Sequence, residues 1–383
     1  MTNPTPLAIL DLVPISTGSS APEALRNSID LAQRAEEFGY ARYWFAEHHL
    51  NPGVAGTSPA VVIALIAHET GRIRLGAGAV QLGHRTALST VEEFGLLDAL
   101  FPGRIDLGLG RSGARGKAGP GGAAAALPQR AKHTEAFTTE NGLLIPPPFD
   151  FTKLLGSPRF GLQKNLLQQP NAEAQNYTEQ INDILALLRG TYATAEGVEA
   201  HVVPGEGAEL EIWILGSSGG ESADVAGANG LRFAANYHVS PSSVLEAVEG
   251  YRAAFQPSED AEGLTKPYVS VSADVVVAED EDKARELASG YGQWVRSIRA
   301  AEGAIQFPTP EQAAAYEWPE GGRELVEDRV QTQFIGTAKQ VADRLEVLRE
   351  ATGADELIVT TITHDHADRV RSFELLAEEW AAR

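Results

Sequence analysis

Short, nearly continuous apolar runs recur along the chain, and between them the apolar positions fall at helical spacing. The runs Leu7–Val13, Arg42–Glu47, Ile73–Leu82, Arg104–Gly110, Leu210–Gly216, Leu231–Tyr237, Tyr268–Ala278 and Glu356–Ile362 read as eight strands. Continuous rather than alternating apolar character marks strands covered on both faces, as in a parallel sheet. Ser20-Ala21-Pro22-Glu23 reads as a capping box opening a helix that runs through Leu25, Ile29, Leu31, Ala32, Ala35 and Phe38 to Gly39. Ser58-Pro59 opens a second helix and Thr90–Leu100 forms a third. The alternation resumes with Tyr177–Leu188, a short helix near Glu221, Ser242–Phe255, Thr337–Glu350 and a terminal helix to Trp380. Eight strand–helix repeats predict an α/β fold closed into a (β/α)8 TIM barrel, one domain over residues 1–383.

Two breaks interrupt the rhythm. Residues 114–175 leave the carboxyl end of the fourth strand and contain the Gly/Ala tract Gly116–Ala126 and Pro146-Pro147-Pro148. A long insertion at that rim is expected to form a mobile lid, since the tract is too poor in large apolar residues to order itself. The second irregular segment is Gln306–Gly336.

Composition removes several function classes. An apolar share of 43% supports a full core, and 31 basic against 52 acidic residues give a net charge of -21. That balance argues against nucleic acid as a partner, because polyanions are bound through basic surface. With no cysteine, disulfides, thiolate catalysis and cysteine-held metals are excluded. Met1–Pro6 lacks the basic start and apolar core of a signal peptide, and Ala60–Ala67 is too short to span a bilayer. A cytoplasmic protein without a membrane partner is expected.

Barrels of this kind build their active sites on the carboxyl rim. There the second run ends in Glu47-His48-His49, the fourth in Gly110-Arg111-Ser112-Gly113, and the fifth in Gly216-Ser217-Ser218-Gly219 ahead of a helix. An imidazole can hold or relay a proton near neutrality, and a guanidinium can bind phosphate through two parallel hydrogen bonds. A Gly/Ser turn at a helix N-terminus offers backbone N–H groups to an anion. Together they predict a site for a phosphate-bearing cofactor. His364-Asp365-His366-Ala367-Asp368, after the eighth strand, offers a rival reading as a metal site, although the first strand lacks the His-x-His of metallohydrolase barrels.

With Leu10-Asp11-Leu12-Val13-Pro14, Glu47-His48-His49, Gly103–Gly113 and Leu215-Gly216-Ser217-Ser218 in this order, the chain resembles the bacterial luciferase-like family of flavin-dependent monooxygenases. The resemblance runs from Leu7 to about Trp380. It implies a barrel that uses reduced FMN and dioxygen, with His48 as catalytic residue beside the isoalloxazine ring. It also implies Arg111, Gly216, Ser217 and Ser218 at the FMN phosphate. Leu75–Val80 would bulge under the ring, with a non-proline cis peptide at Gly78–Ala79.

The chain departs from the family in places. Gly110 stands where the light-emitting member has a reactive cysteine, so bioluminescence is not implied. Ala87 replaces a common proline, and Gly219-Gly220-Glu221-Ser222 is one residue longer than usual, leaving a third phosphate ligand open. Gly108-Leu109-Gly110 lacks the third glycine and acidic partner of a dinucleotide site, so reduced FMN would come from a separate flavin reductase. A deazaflavin coenzyme and a non-catalytic flavin-binding barrel are the alternatives. Relatives pair through helices two and three, and Val61, Val62, Leu65 and Ile66 imply a homodimer. The substrate is expected to be a small organic molecule, apolar or weakly polar, against Trp44, Phe45, Trp213 and Tyr237.

Overall fold

The computed structural model describes residues 5–111, 132–151, 154, 156–172, 175–258 and 263–383. Strands β1 (Leu7–Asp11), β2 (Arg42–Phe45), β3 (Arg74–Ala77) with its continuation β4 (Val80–Gln81), and β5 (Ile105–Gly110) form one half of the sheet. A small hairpin, β6 (Phe137–Thr138) and β7 (Leu144–Ile145), lies apart. The second half is β8 (Glu211–Gly216), β9 (Arg232–Asn236), β10 (Val269–Ala278) and β12 (Glu356–Thr360), with β11 (Phe334–Thr337) added beside β10. Pairing runs β12-β1-β2-β3-β5-β8-β9-β10 and returns from β10 to β12, all parallel. This closed eight-stranded parallel barrel is the predicted (β/α)8 architecture.

The helices are α1 (Ala21–Phe38), α2 (Pro59–Ala67), α3 (Ala87–Leu100), α4 (Pro158–Leu167), α5 (Tyr177–Leu188), α6 (Glu221–Ala228) and α7 (Val244–Ala254). They continue with α8 (Glu281–Ala288), α9 (Tyr291–Arg299), α10 (Pro310–Ala314), α11 (Glu327–Thr332), α12 (Ala338–Thr352) and α13 (His366–Ala381). Among the described residues no helix is long and apolar enough to cross a membrane.

Strand parity sorts the core into two layers. Leu7, Ile9, Tyr43 and Phe45 face outward into the packing between strands and helices, whereas Ala8, Leu10 and Trp44 face inward. Gly108 is required by close approach: a Cβ there would lie 1.9 Å from the Ala77 carbonyl oxygen. The inner floor is charged. Arg42 bridges Asp106 at 2.8 Å, Glu211 at 2.9 Å and Glu356 at 3.0 Å, and Arg74 reaches Asp106 at 2.7 Å.

Several elements differ from the sequence reading. The third strand is not continuous: it ends at Ala77, Gly78 and Ala79 follow with a cis peptide between them, and a strand resumes at Val80. Ser20 makes no side-chain cap; Glu23 instead accepts from the Ser19 hydroxyl at 3.0 Å. The third helix starts at Ala87, where Thr86 and Ser89 form a reciprocal cap that reading from Thr90 overlooked. Thr337 caps α12 as expected, with Gln340 as its partner. Helices α8 and α9 were not anticipated, and Gln306–Gly336 is more ordered than its composition suggested. The Gly116–Ala126 tract, with Ser112 and Gly113, lies outside the described residues.

Asp11 interrupts the first apolar run for a structural reason. Its buried carboxylate accepts from the Val13 amide (2.7 Å), Ser28 (2.5 Å), Tyr43 (2.6 Å) and Arg369 (2.7 Å), tying β1 to α1, β2 and α13. Burial pushes its pKa up, but Arg369 and the hydroxyl donors hold it below the usual carboxylate value. Its stabilising contribution is therefore present above the unfolded pKa and is lost as pH falls through the lower folded value. Asp11→Asn should destabilise the fold by about 3–5 kcal/mol in urea unfolding at pH 7, because it strands a buried guanidinium. The Asp11→Asn/Arg369→Met pair should cost clearly less than that single change.

Candidate active site

Glu47 organises the exit of β2. Although buried, its carboxylate receives Nε2 of His49 and of His84, each at 2.9 Å, and the Gln81 amide at 2.9 Å; Arg85 lies 3.6 Å away. Burial opposes ionisation, yet these donors bring its pKa down to about 2. An ionised Glu47 has no proton to give, so both imidazoles must donate to it. His49 is thus a structural partner, its ring edge-on to His84 at 5.2 Å. Glu47, His49 and His84 are close enough to hold a metal ion in principle. The Gln81 amide and Arg85 already bind that same carboxylate, however, and a guanidinium beside it disfavours a second cation.

His48 turns the other way. Its backbone N–H donates to Gly56 O at 2.7 Å, while ring Nδ1 is buried without a hydrogen-bond partner among the described residues. Burial, then His49, pushes the imidazole down to about 4 against the pull of Glu47. It is neutral at pH 7 and lines a cavity of about 280 Å³ at the barrel mouth. Gly78 at the break in the third strand shares the wall with Leu10, Trp44 and Leu215, and Ala79 beside it is half-buried.

The opposite wall carries residues that sequence reasoning missed: His238, Asp274, Trp294 and Arg329. Of the four aromatics expected at the mouth, only Trp44 lines the cavity. Phe45 and Tyr237 sit one residue out of phase and pack outward, and Trp213 lies deeper, 5.0 Å edge-to-face from Trp44 and with the Arg42 guanidinium stacked 5.0 Å from its ring. His364 and His366 do not converge: one meets the Thr17 carbonyl at 3.0 Å, the other Asp30 at 2.8 Å.

A second polar centre lies at the ends of β5 and β8. Their register pairs Gly110 with Leu215, which sets Arg111 alongside the Gly216 turn. Gly216 is needed there, since a Cβ would stand 2.8 Å from the Phe233 ring and 3.1 Å from Ser222. Ser217 is exposed and Ser218 half-buried, and the Ser217 carbonyl is held by the Ser243 hydroxyl. Arg111 bonds Glu221 at 2.6 Å, a carboxylate in the first turn of α6. Tyr177, the first residue of α5, completes the group. Its hydroxyl is buried beside Ser222 and near Arg111 and Glu221, without a hydrogen bond of normal geometry among the described residues, and burial raises its pKa. An anionic side chain already pairs with Arg111, and a buried hydroxyl stands beside it. Both facts fit a phosphate. No sequence signal marked Tyr177, because the insertion brings it back to the rim from far along the chain.

A profile of the luciferase-like monooxygenase family matches residues 5–138 and 159–356. The protein YvbT of Bacillus subtilis is 34% identical over 380 residues, covering 99% of this chain and 98% of that one. A luciferase-like monooxygenase of Escherichia coli K12 is 32% identical over 370 residues, 96% and 95% of the two chains. The crystal structure of apo-MsnO8 superposes with a TM-score of 0.72 at 27% identity, covering 98% of each chain. The fold is shared further with the FMN-bound oxygenating constituent of 3,6-diketocamphane monooxygenase (TM-score 0.62, 18% identity, 99% of each chain). An F420-dependent secondary alcohol dehydrogenase shares it too (0.59, 14%, 98% and 99%).

The depressed imidazole has a consequence for stability. Between His48's ordinary pKa near 6.5 and its folded value of about 4, the unfolded chain binds a proton that the native state refuses. Native stability should therefore rise with pH across that window. In urea unfolding at pH 5 and pH 7, His48→Gln should narrow the difference between the two pH values. An unchanged difference would mean that His48 titrates normally.

Proposed function

The chain belongs to the luciferase-like monooxygenase family, and on that premise we propose a two-component, FMN-dependent monooxygenase that receives reduced FMN from a separate reductase. Dioxygen and a small organic substrate complete the reaction. The observation that carries the cofactor reading is the convergence of Arg111, the α6 N-terminus and the buried Tyr177 hydroxyl, which has no hydrogen-bond partner among the described residues. Arg111, the amides and hydroxyls of Ser217 and Ser218, and Tyr177 would hold the phosphate, with Gly216 keeping the turn open. Gly78 and Ala79 would form the floor beneath the ring. Reduced flavin, when bound, supplies the electrons and the centre at which dioxygen is activated.

His48 is the proton-handling group of this chain. Neutral, buried and unpartnered at Nδ1, it can accept or return a proton inside a cavity sheltered from bulk water. Glu47 acts one step back, fixing the strand exit from which His48 projects. A deazaflavin coenzyme would use the same phosphate cradle, and a fold relative binds one. The pairing of Arg111 with Ser217-Ser218 favours FMN. We further propose that the protein is a homodimer. Val62 and Ile66 are buried against the barrel, but Val61, Leu65, Leu96 and Leu100 leave an exposed apolar stripe on α2 and α3.

Arg111→Ala should weaken FMN binding at least tenfold in fluorescence-quenching titrations, since charge-assisted bonds are worth about 1.5–3 kcal/mol. Riboflavin, which lacks the phosphate, should bind as before. Glu221→Gln should tighten FMN by removing a competing carboxylate. Equal losses for FMN and riboflavin in Arg111→Ala would show that the arginine serves the fold instead. His48→Ala should leave FMN affinity nearly intact while lowering reductase-coupled turnover. Leu65→Glu/Leu96→Glu should convert a dimer to monomers by light scattering at micromolar concentration, and a monomeric parent protein would refute the pairing.

A further inference from the structure

Barrel interiors are ordinarily filled by layers of branched aliphatic side chains. The upper layer on one side of this barrel is polar instead. Ser272 and Asp274 on β10, Asn236 and His238 at the end of β9, and Thr360 on β12 all line the cavity. They are neighbours across the sheet, Ser272 in register with Asn236 and Asp274 with Thr360. Helices α9 and α11 add Trp294 and Arg329 from above. Three polar atoms of this wall, Asn236 Oδ1, Trp294 Nε1 and Thr360 Oγ1, are buried without a partner among the described residues. Buried polar atoms in folded proteins are nearly always paired, so three orphans around one cavity point to a ligand that pairs them.

The charges of the wall are matched internally. Arg329 donates to the Tyr291 hydroxyl from Nε at 3.1 Å and Nη2 at 2.7 Å, and to Asp274 Oδ2 at 3.2 Å; Tyr291 donates to that same oxygen. His238 is held by Ser272, with Nδ1 to Oγ at 2.6 Å. Burial, aided by Arg329 and His48, keeps its imidazole down at about 3, so both histidines at the cavity are neutral. What faces the cavity is the Trp294 N–H donor, the Asn236 amide, the Thr360 hydroxyl and the neutral His48 ring, with no uncompensated charge. A carboxylate would bring a net charge into this balanced, buried setting, whereas a neutral group would not.

We propose that the polar wall binds the head group of the substrate, and that this group is neutral with one hydrogen-bond acceptor and one donor, as in a primary amide or an alcohol. Its aliphatic remainder lies against Leu10, Leu12, Ile298 and Ile362. The proposal rests on the flavin reading only in calling this ligand the substrate.

Isothermal titration with hexanamide and hexanoate, on the protein alone and with saturating oxidised FMN, tests it. Hexanamide should bind in both forms, with hexanoate at least tenfold weaker. Trp294→Phe, which removes only the N–H, should weaken hexanamide about three- to tenfold and leave FMN affinity unchanged. Hexanoate binding as tightly as hexanamide would overturn the proposal. So would displacement of hexanamide by FMN together with loss of FMN affinity in Trp294→Phe, since the wall would then belong to the flavin ring. If FMN binds and hexanamide does not, the inference fails and the cofactor reading stands. If hexanamide binds and FMN does not, the reverse holds.

Discussion

One buried carboxylate sets the geometry on which the site depends. Glu47 leaves β2 at the rim and gathers His49, His84, the Gln81 amide and the approach of Arg85. A buried charge is tolerable only when its lone pairs are matched, and here the matching partners come from β4 and the loop after it. The carboxylate thereby fastens the exit of β2 to the segment just past the break at Gly78–Ala79. With His49 consumed as a donor on one side, the neighbouring His48 is left on the other, facing the cavity with an unpaired nitrogen. The two adjacent histidines take opposite roles because successive residues at a strand end point opposite ways.

The barrel divides its polar groups between its two ends. At the amino end Arg42, Arg74, Asp106, Glu211 and Glu356 form a closed ionic plug beneath Trp213. The charges of that network are paired with one another, so it serves the fold. At the carboxyl end the polar atoms are left unmatched: His48 Nδ1, the Tyr177 hydroxyl, Asn236 Oδ1, Trp294 Nε1 and Thr360 Oγ1. Unpaired polar atoms at the carboxyl rim are consistent with the rim at which barrels of this kind build their active sites.

Much of this was legible in the sequence. Continuous apolar runs gave the eight barrel strands because parallel strands are buried on both faces, and the rim residues followed from where those runs stop. The cis peptide at Gly78–Ala79 followed from resemblance, not from periodicity. The mouth aromatics were misread for want of parity: Trp44 and Asn236 point inward, so Phe45 and Tyr237 must point out. The same counting, carried two residues past Asn236, would have placed His238 in the cavity. Trp294 and Arg329 were beyond reach, because each arrives on a segment outside the one-strand, one-helix rhythm; Tyr177 opens a helix of that rhythm, but its place beside Arg111 depends on tertiary packing.

The central claim is that the flavin phosphate sits between β5 and β8 while its ring lies over the third strand beside His48. A crystal structure of the protein with bound FMN measures this directly. The account predicts phosphate oxygens within hydrogen-bond distance of Arg111, the Ser217-Ser218 turn and the Tyr177 hydroxyl, Glu221 swung aside, and the ring next to Gly78. A phosphate bound elsewhere, or a ring lying against Trp294 and Asn236, would contradict it.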